Sequence, residues 1–201
     1  INPTARSAVD RVARGLQGGG GARQVGLAHE QHVGVEGRQR EDRDGGLGER
    51  LAAEIARRGA QARRVRPGTQ FAFPAEGIVE IDPERPDHLS ALLTQASDGG
   101  ALAGVVSLWS LRVPALTADE VPSGVQRFGT EAALRLVQAL AASPAPLWLV
   151  SAAAEAVDGS ETPRIEQAPL AGLARVAAAE HPELQVTHVD LESPSLLTDM
   201  T

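Results

Sequence analysis

The fold is decided by the stretch Ala103-Gly104-Val105-Val106-Ser107-Leu108-Trp109, which is almost continuously apolar. A strand with one face in solvent alternates apolar and polar residues, whereas a strand covered on both faces does not. Residues 103–109 are therefore predicted to form a central strand of a parallel sheet. A second buried strand of the same kind, Leu147-Trp148-Leu149-Val150, follows further along the chain.

Amphipathic segments separate these strands. The apolar spacing predicts a helix from Leu47 that stops at Gly59, and further helices over 86–96, 124–142 and 165–180. Shorter apolar runs predict strands over 61–66, 77–81 and 185–191. Helices between parallel strands require right-handed crossovers and cover both faces of the sheet. The pattern predicts an α/β, Rossmann-like fold of three layers with a mostly parallel sheet.

The composition excludes several kinds of chemistry. The 201 residues, 42% of them apolar, fit one ordinary domain. There is no cysteine and no tyrosine, and all 19 basic residues are arginine. Disulfides, thiolate metal sites, cysteine nucleophiles, Schiff-base lysines and a Tyr-Lys proton relay are therefore ruled out, and no metal site is predicted.

The net charge is −7, which argues against a protein that binds nucleic acid by neutralising phosphates. No apolar run is long enough to cross a bilayer, and the first residues lack the apolar segment of a signal peptide. We expect a cytoplasmic protein with no membrane or nucleic-acid partner.

Residues 1–43 differ from the rest of the chain. They hold eight glycines, seven arginines and five acids, for a net charge of +2, whereas residues 44–201 carry −9. No apolar period in this arm is long enough to predict a helix or a strand, so we expect a poorly ordered N-terminal arm. A second interpretation is that these codons are out of frame in a GC-rich gene. The expected organisation is this arm, a domain over 44–193 and a tail over 194–201.

The most suggestive local motif is Asp44-Gly45-Gly46-Leu47-Gly48, directly before the first predicted helix. Glycines at the start of a helix let backbone amides approach a phosphate, which makes Gly45, Gly46 and Gly48 weak candidates for cofactor binding. A dinucleotide site needs an apolar strand immediately upstream, and residues 37–43 hold five charged side chains and no apolar one. A tight turn that only starts a helix is the competing interpretation.

Other polar residues do not form a complete catalytic set. His188 and Asp190 lie on one side of a predicted strand, but the sequence shows no third partner for them. Carboxylates at 82, 84 and 87 fit helix capping, His181 fits a helix C-terminus, and the serines at 107, 110 and 151 lie outside any nucleophile elbow. Five arginines within ten residues could instead contact an anionic partner; these are Arg57, Arg58, Arg63, Arg64 and Arg66.

Several segments, in this order and spacing, resemble the structural half of the ketoreductase region of modular type I polyketide synthases. The resemblance covers residues 44–193. It rests on Arg66-Pro67-Gly68 with Phe71, Ile81-Asp82-Pro83 with Pro86, 104–111, 146–150, 167–176, 180–184 and Val189-Asp190-Leu191.

This resemblance implies a truncated Rossmann-like subdomain without catalytic residues or cofactor. In the family it braces a second subdomain, which holds NADPH and the Ser, Tyr and Lys of a short-chain reductase. That reductase subdomain, other synthase domains and an acyl carrier protein are the implied partners. The sequence departs from the family at Ala171, where an aromatic residue is usual, and has no recognisable opening strand before the glycine turn.

Three hypotheses follow. The first is a non-catalytic scaffold that braces a β-ketoacyl reductase subdomain absent from this chain. The second is a stand-alone nucleotide-binding enzyme that uses residues 44–48 as its phosphate turn. The third is a module that recruits a carrier protein through the arginines of residues 57–66.

Overall fold

In a computed structural model of the protein, the structure describes residues 24–28, 46–75, 78–97, 102–114, 116, 127–156 and 162–192. Within these ranges lie seven strands and four helices. The strands are β1 (Gln24–Ala28), β2 (Gln61–Pro67), β3 (Ala72–Ala75), β4 (Ile78–Ile81), β5 (Leu102–Ser107), β6 (Leu147–Ala152) and β7 (Thr187–Leu191). The helices are α1 (Leu47–Arg57), α2 (Pro86–Ser97), α3 (Thr130–Ala142) and α4 (Ala168–Glu180).

The strands form one sheet in the order β3-β4-β2-β1-β5-β6-β7. Every neighbouring pair is parallel except β3 and β4, which are antiparallel. Without β3, the order is that of a doubly wound Rossmann sheet, in which the strand order reverses between β1 and β5. The predicted α/β, three-layer, mostly parallel fold is confirmed.

Helices cover the two faces of the sheet unequally. Helices α2, α3 and α4 pack on one face, which we call the helix-rich face, against Val65, Val79, Ile81, Val105, Leu147 and Leu149. Helix α1 packs on the opposite face, the α1 face, in a cluster with Val106, Trp148, Val150, Val189 and Leu191. Successive residues of β5 and β6 thus enter different cores, which explains why neither strand alternates in its sequence.

Strand β1 corrects the prediction for the N-terminal arm. Gln24–Ala28 was expected to form no element, yet it lies at the centre of the sheet and pairs with both β2 and β5. The sequence QVGLA is too short and too rich in small residues to give a period, so its strand conformation depends on partners that are distant in the sequence. The other residues of the arm and the predicted tail over 194–201 lie outside the described part of the chain.

Most predicted elements have the predicted type, with shifts at their ends. Gly59 ends the turn after α1 with a left-handed backbone, φ 81°, as its position after the helix predicted. Phe128 was expected within a helix over 124–142, but the helix begins at Thr130 and residues 124–126 are outside the described ranges. Strand β3 was not predicted, because Pro74 removes a backbone donor from its four residues.

Candidate functional site

The glycine turn lies at the carboxyl edge of the parallel strands, because α1 connects β1 to β2 and runs back across the sheet. Gly46 has a left-handed backbone, φ 69°, and its carbonyl accepts the Arg50 N–H at 3.0 Å. Gly48 is buried in the first turn of α1. Gly45, the third predicted cofactor residue, falls outside the residues that the structure describes.

Apolar side chains fill the space beside this turn. In dinucleotide-binding folds the cofactor enters the crevice where the strand order reverses, which here lies between β1 and β5. Strand β5 continues through Leu108 into a 3₁₀ turn, Trp109–Arg112. Leu108 and Leu111 are 2% and 3% exposed and belong to one core cluster with Leu47 of α1. Among the described residues, an apolar cluster therefore joins the carboxyl end of β5 to the start of α1.

Ser151 is the third partner of His188 and Asp190 that the sequence did not reveal. Its hydroxyl donates to Asp190 Oδ1 at 2.6 Å and lies 2.8 Å from His188 Nε2. Because the Ser151 proton goes to the carboxylate, His188 Nε2 is the donor in the second contact. The parallel register places Ser151 directly beside Asp190, so the signal was the pairing of β6 with β7 and not a local motif.

This cluster has the residue types of a catalytic triad but not its geometry. In a triad the carboxylate orients the histidine, and the histidine activates the serine. Here Asp190 contacts the serine directly and also accepts the backbone N–H groups of Ala154 and Glu155, each at 3.0 Å. Ser151 has no exposed surface. The arrangement holds the loop after β6 in place.

Two further contacts fix the same loop. Ala153 has an unusual left-handed backbone, φ 53°; its N–H donates to the Leu191 carbonyl, and its carbonyl accepts the Arg164 N–H, both at 2.7 Å.

Burial lowers the pKa of His188, against the opposing influence of the nearby Asp190 and Glu155 carboxylates, and the Arg175 cation lowers it further. The neutral imidazole is the form that this site favours.

A second polar network joins the 3₁₀ turn to the start of α4. Ser110 donates its hydroxyl to the Val150 carbonyl, and Gln167 Nε2 donates to the Ser110 carbonyl at 2.7 Å. Arg164 contacts Glu166 Oε1 at 2.5 Å and donates to the Val113 carbonyl at 2.8 Å. Ser110 and Ser151 are therefore both engaged in structural hydrogen bonds. Ser107 is buried at the end of β5.

The arginine cluster is largely paired with carboxylates of the same domain. Arg57 and Arg58 both bind Glu54, and these hydrogen bonds lower the pKa of that carboxyl to about 2. Arg64 lies 3.5 Å from Glu49.

Arg66, the last member of the cluster to hold a carboxylate, donates from both Nε and Nη2 to Glu80 Oε2, at 3.0 and 2.8 Å. Four of the five arginines that were candidates for contacting an anionic partner are thus paired with a carboxylate. The fifth, Arg63, borders a small apolar cavity on the helix-rich face.

The acidic residues near Pro83 have local structural partners. Asp82 accepts the Glu84 N–H at 2.9 Å, and its own N–H donates to His88 Nδ1 at 3.0 Å. Arg127 Nη2 lies 2.9 Å from Glu84 Oε2, and Asp87 is paired with Arg85. None of these contacts is from a carboxylate to an N–H group of α2, so they fix the loop before the helix and do not show the predicted capping.

His181 follows α4 as its C-cap and contacts Glu183 at 3.0 Å. Trp109 and Trp148 are 2% and 7% exposed and pack in the cores on the two faces of the sheet. In the described ranges no three His, Asp or Glu side chains are grouped closely enough to hold a metal ion, and no helix is long and apolar enough to span a membrane.

Comparisons with known proteins agree with the predicted resemblance. The model of the Rossmann fold domain of the polyketide synthase extender module SpnB matches residues 50–200. Polyketide synthase GfsA of Streptomyces halstedii is 39% identical over 127 residues, which cover 60% of this chain and 2% of that protein.

Solved structures place the fold in the same region of these enzymes. A C2-type ketoreductase from a modular polyketide synthase has 30% identity and a TM-score of 0.58, over 90% of this chain and 35% of that one. A nonribosomal peptide synthetase module with adenylation, ketoreductase and pseudo Asub domains has a TM-score of 0.64 at 22% identity, over 84% and 13% of the two chains, which supports the fold alone. The chain thus spans a small part of its relatives, and it belongs to the Rossmann fold domain family of polyketide synthase extender modules, within the ketoreductase region.

Proposed function

We propose that this domain is a non-catalytic scaffold that braces an NADPH-dependent β-ketoacyl reductase subdomain of a polyketide synthase in the cytoplasm. The observation that carries the proposal is the packing of Leu47, Leu108 and Leu111 at the crevice where the strand order reverses. A nucleotide phosphate placed there would lose its hydration without gaining polar contacts. The domain has no tyrosine and no lysine to transfer protons to a ketone.

The polar clusters support the same role. Ser151, His188 and Asp190 direct their hydrogen bonds to one another and to the backbone. Gln167 and Ser110 do likewise at the neighbouring strand end. Such networks rigidify the carboxyl edge of the sheet, where Rossmann enzymes place their reacting groups. The domain contributes shape to a neighbour, and NADPH belongs to that neighbour.

The experiment is a fluorescence titration of the purified chain with NADPH, together with an assay on a model β-ketoacyl thioester. We expect neither saturable binding nor turnover. The second arm adds the chain to a polyketide synthase reductase subdomain expressed without its structural half, and we expect the chain to raise the ketone reduction rate and the melting temperature of that subdomain. NADPH capture by the chain alone, or no effect on the reductase subdomain, contradicts the proposal.

Other synthase domains are the proposed partners, since the matching family model is one domain of a polyketide synthase extender module and the chain matches 2% of polyketide synthase GfsA. An acyl carrier protein is a weaker candidate, because four arginines of the 57–66 cluster already hold carboxylates. A pull-down with an acidic carrier protein at two salt concentrations tests whether the chain binds an acyl carrier protein through these arginines. Retention that fades at high salt would favour a charged surface contact.

A further inference from the structure

The apolar cavity of about 30 Å³ lies between α2 and the sheet, on the helix-rich face. Two of the residues that line it, Arg63 of β2 and Val105 of β5, are both paired with Gly26 of β1. The strand between them therefore contributes no side chain at this level of the sheet. Glycine inside a strand often marks a place where a ligand comes close to the backbone, and the register provides such a place here.

The opening of the cavity lies beside Arg63. Of the described residues that line the cavity, Arg63 and Leu102 are partly exposed and the others are buried. Arg63 is the third residue of β2, and Leu102 is the first residue of β5, so the opening faces the amino edge of the sheet. The glycine turn lies at the carboxyl edge, so the two places are separate. A molecule that enters the cavity passes the Arg63 guanidinium.

The side chain of Arg63 has no carboxylate partner within the part of the chain that the structure describes, whereas the other four arginines of residues 57–66 each hold an acid. Its guanidinium stays charged at any pH at which the protein is folded. A half-buried cation beside apolar side chains gains from an oxyanion, because charge-assisted hydrogen bonds replace the hydration that it has lost. The cavity thus combines a hydrocarbon lining with one free positive charge at its opening.

We propose that this cavity binds a short aliphatic carboxylate, whose two oxygens accept hydrogen bonds from Arg63 and whose carbon tail lies among Leu92, Leu93 and Val105. A guanidinium offers two N–H groups in a fork that matches a carboxylate. Since one water needs about 10–15 Å³ of such space, the cavity admits a tail of about two or three carbon atoms. The inference does not depend on the scaffold function, because a brace needs no ligand.

The size of the cavity also selects among carboxylates. A long acyl chain exceeds the enclosed space. A glutamate side chain of a neighbouring polypeptide does not fit either, because its carbon chain continues into a backbone at the end that the cavity must enclose. Free carboxylates with a short tail satisfy both the charge at the opening and the apolar lining.

The test is a titration of the full chain with acetate, propionate, butyrate and octanoate at constant ionic strength, followed by the melting temperature and by the NMR signals of the two indole N–H groups. Trp109 lines the cavity and its Nε1 has no partner among the described residues, whereas Trp148 lies in the core of the opposite face and serves as the internal control. We expect a saturable rise in melting temperature and a saturable shift of the Trp109 signal alone.

The chain-length series tests the tail. Affinity should rise about fourfold for each methylene from acetate to butyrate, as burial of that group implies, and octanoate should bind no more tightly than butyrate. Butanol, which has the same tail without the charge, should bind more weakly. A further gain with octanoate overturns the size limit, and equal affinity for butanol overturns the carboxylate assignment.

Two variants separate the charge from the tail. Arg63→Gln should weaken butyrate binding by about tenfold or more, because the charge-assisted hydrogen bonds are lost, and Arg64→Gln, on the other face of the same strand, should leave it unchanged. Val105→Ile occupies part of the cavity and should cancel most of the gain of butyrate over acetate, which keeps the test open if Arg63→Gln does not fold. Absence of saturation, a butyrate effect that survives in Arg63→Gln, or the full gain in Val105→Ile overturns the site.

Discussion

Ser151 Oγ and His188 Nε2 lie 2.8 Å apart across the parallel strands β6 and β7. The contact is a donation from the imidazole to the hydroxyl, which in turn donates to Asp190. Stability of this edge of the sheet is therefore linked to the protonation state of one histidine.

The first prediction concerns pH. The folded-state pKa of His188 is lowered from 6.5, mainly by burial, so the unfolded chain binds the proton more tightly. The contribution of His188 is fully present above pH 6.5 and is lost as the pH falls toward the folded pKa. Urea unfolding of the wild type and of His188→Gln across this range should show a stability difference that narrows at acid pH. A constant or widening difference would contradict the linkage.

The second prediction concerns Asp190. Its carboxylate accepts three hydrogen bonds, from the Ser151 hydroxyl and the N–H groups of Ala154 and Glu155. Asp190→Ala leaves these donors without an acceptor and should lower the free energy of unfolding by about 3 kcal/mol. Asp87→Ala, which removes a carboxylate from an exposed pair, should have a much smaller effect. Equal losses in chemical denaturation would refute the anchoring role.

The third prediction compares two glycines. A Cβ at Gly68 would overlap the Glu80 side chain, 2.1 Å from Oε1, so Gly68→Ala must displace the partner of Arg66 and should cost about 1 kcal/mol. A Cβ at Gly172, inside α4, meets nothing within 4 Å. Gly172→Ala should stabilise the domain by about 1 kcal/mol through helix propensity. The two unfolding midpoints should move in opposite directions, and a common direction would be inconsistent with this packing.

The fourth prediction uses neighbouring residues of β5. Val105 lines an apolar cavity of about 30 Å³ together with Leu92 and Trp109. Val105→Ile adds one methylene toward that space and should stabilise the domain by about 0.8 kcal/mol. Val106 is fully buried on the opposite face, where Val106→Ile should overpack the core and cost about 1 kcal/mol or more. The melting temperatures of both variants test this prediction. Stabilisation by Val106→Ile would contradict it and would show that the core on the α1 face is the less tightly packed of the two.

The periodic parts of the fold could be predicted from the sequence because their signals are local. The apolar stripe of α2 and the unbroken apolar runs of β5 and β6 follow from burial alone. Strand β1 escaped prediction because nothing in Gln24–Ala28 except its position between β2 and β5 makes it a strand. Its assignment requires knowledge of the whole sheet.

The candidate site also combines features that have a local sequence signal with features that depend on distant segments. A helix after the glycine turn was predictable, because glycine permits the left-handed backbone found at Gly46. The pairing of Ser151 with Asp190 was not, since it depends on the register between two strands that are far apart in the sequence.

The central location of β1 has a practical consequence for anyone who trims this protein. Cutting at residue 44, where the composition changes, would remove the strand that joins β3-β4-β2 to β5-β6-β7. Two three-stranded fragments would then expose unpaired inner edges, which recruit other chains and precipitate. Shortened versions intended for crystallisation should therefore begin upstream of Gln24.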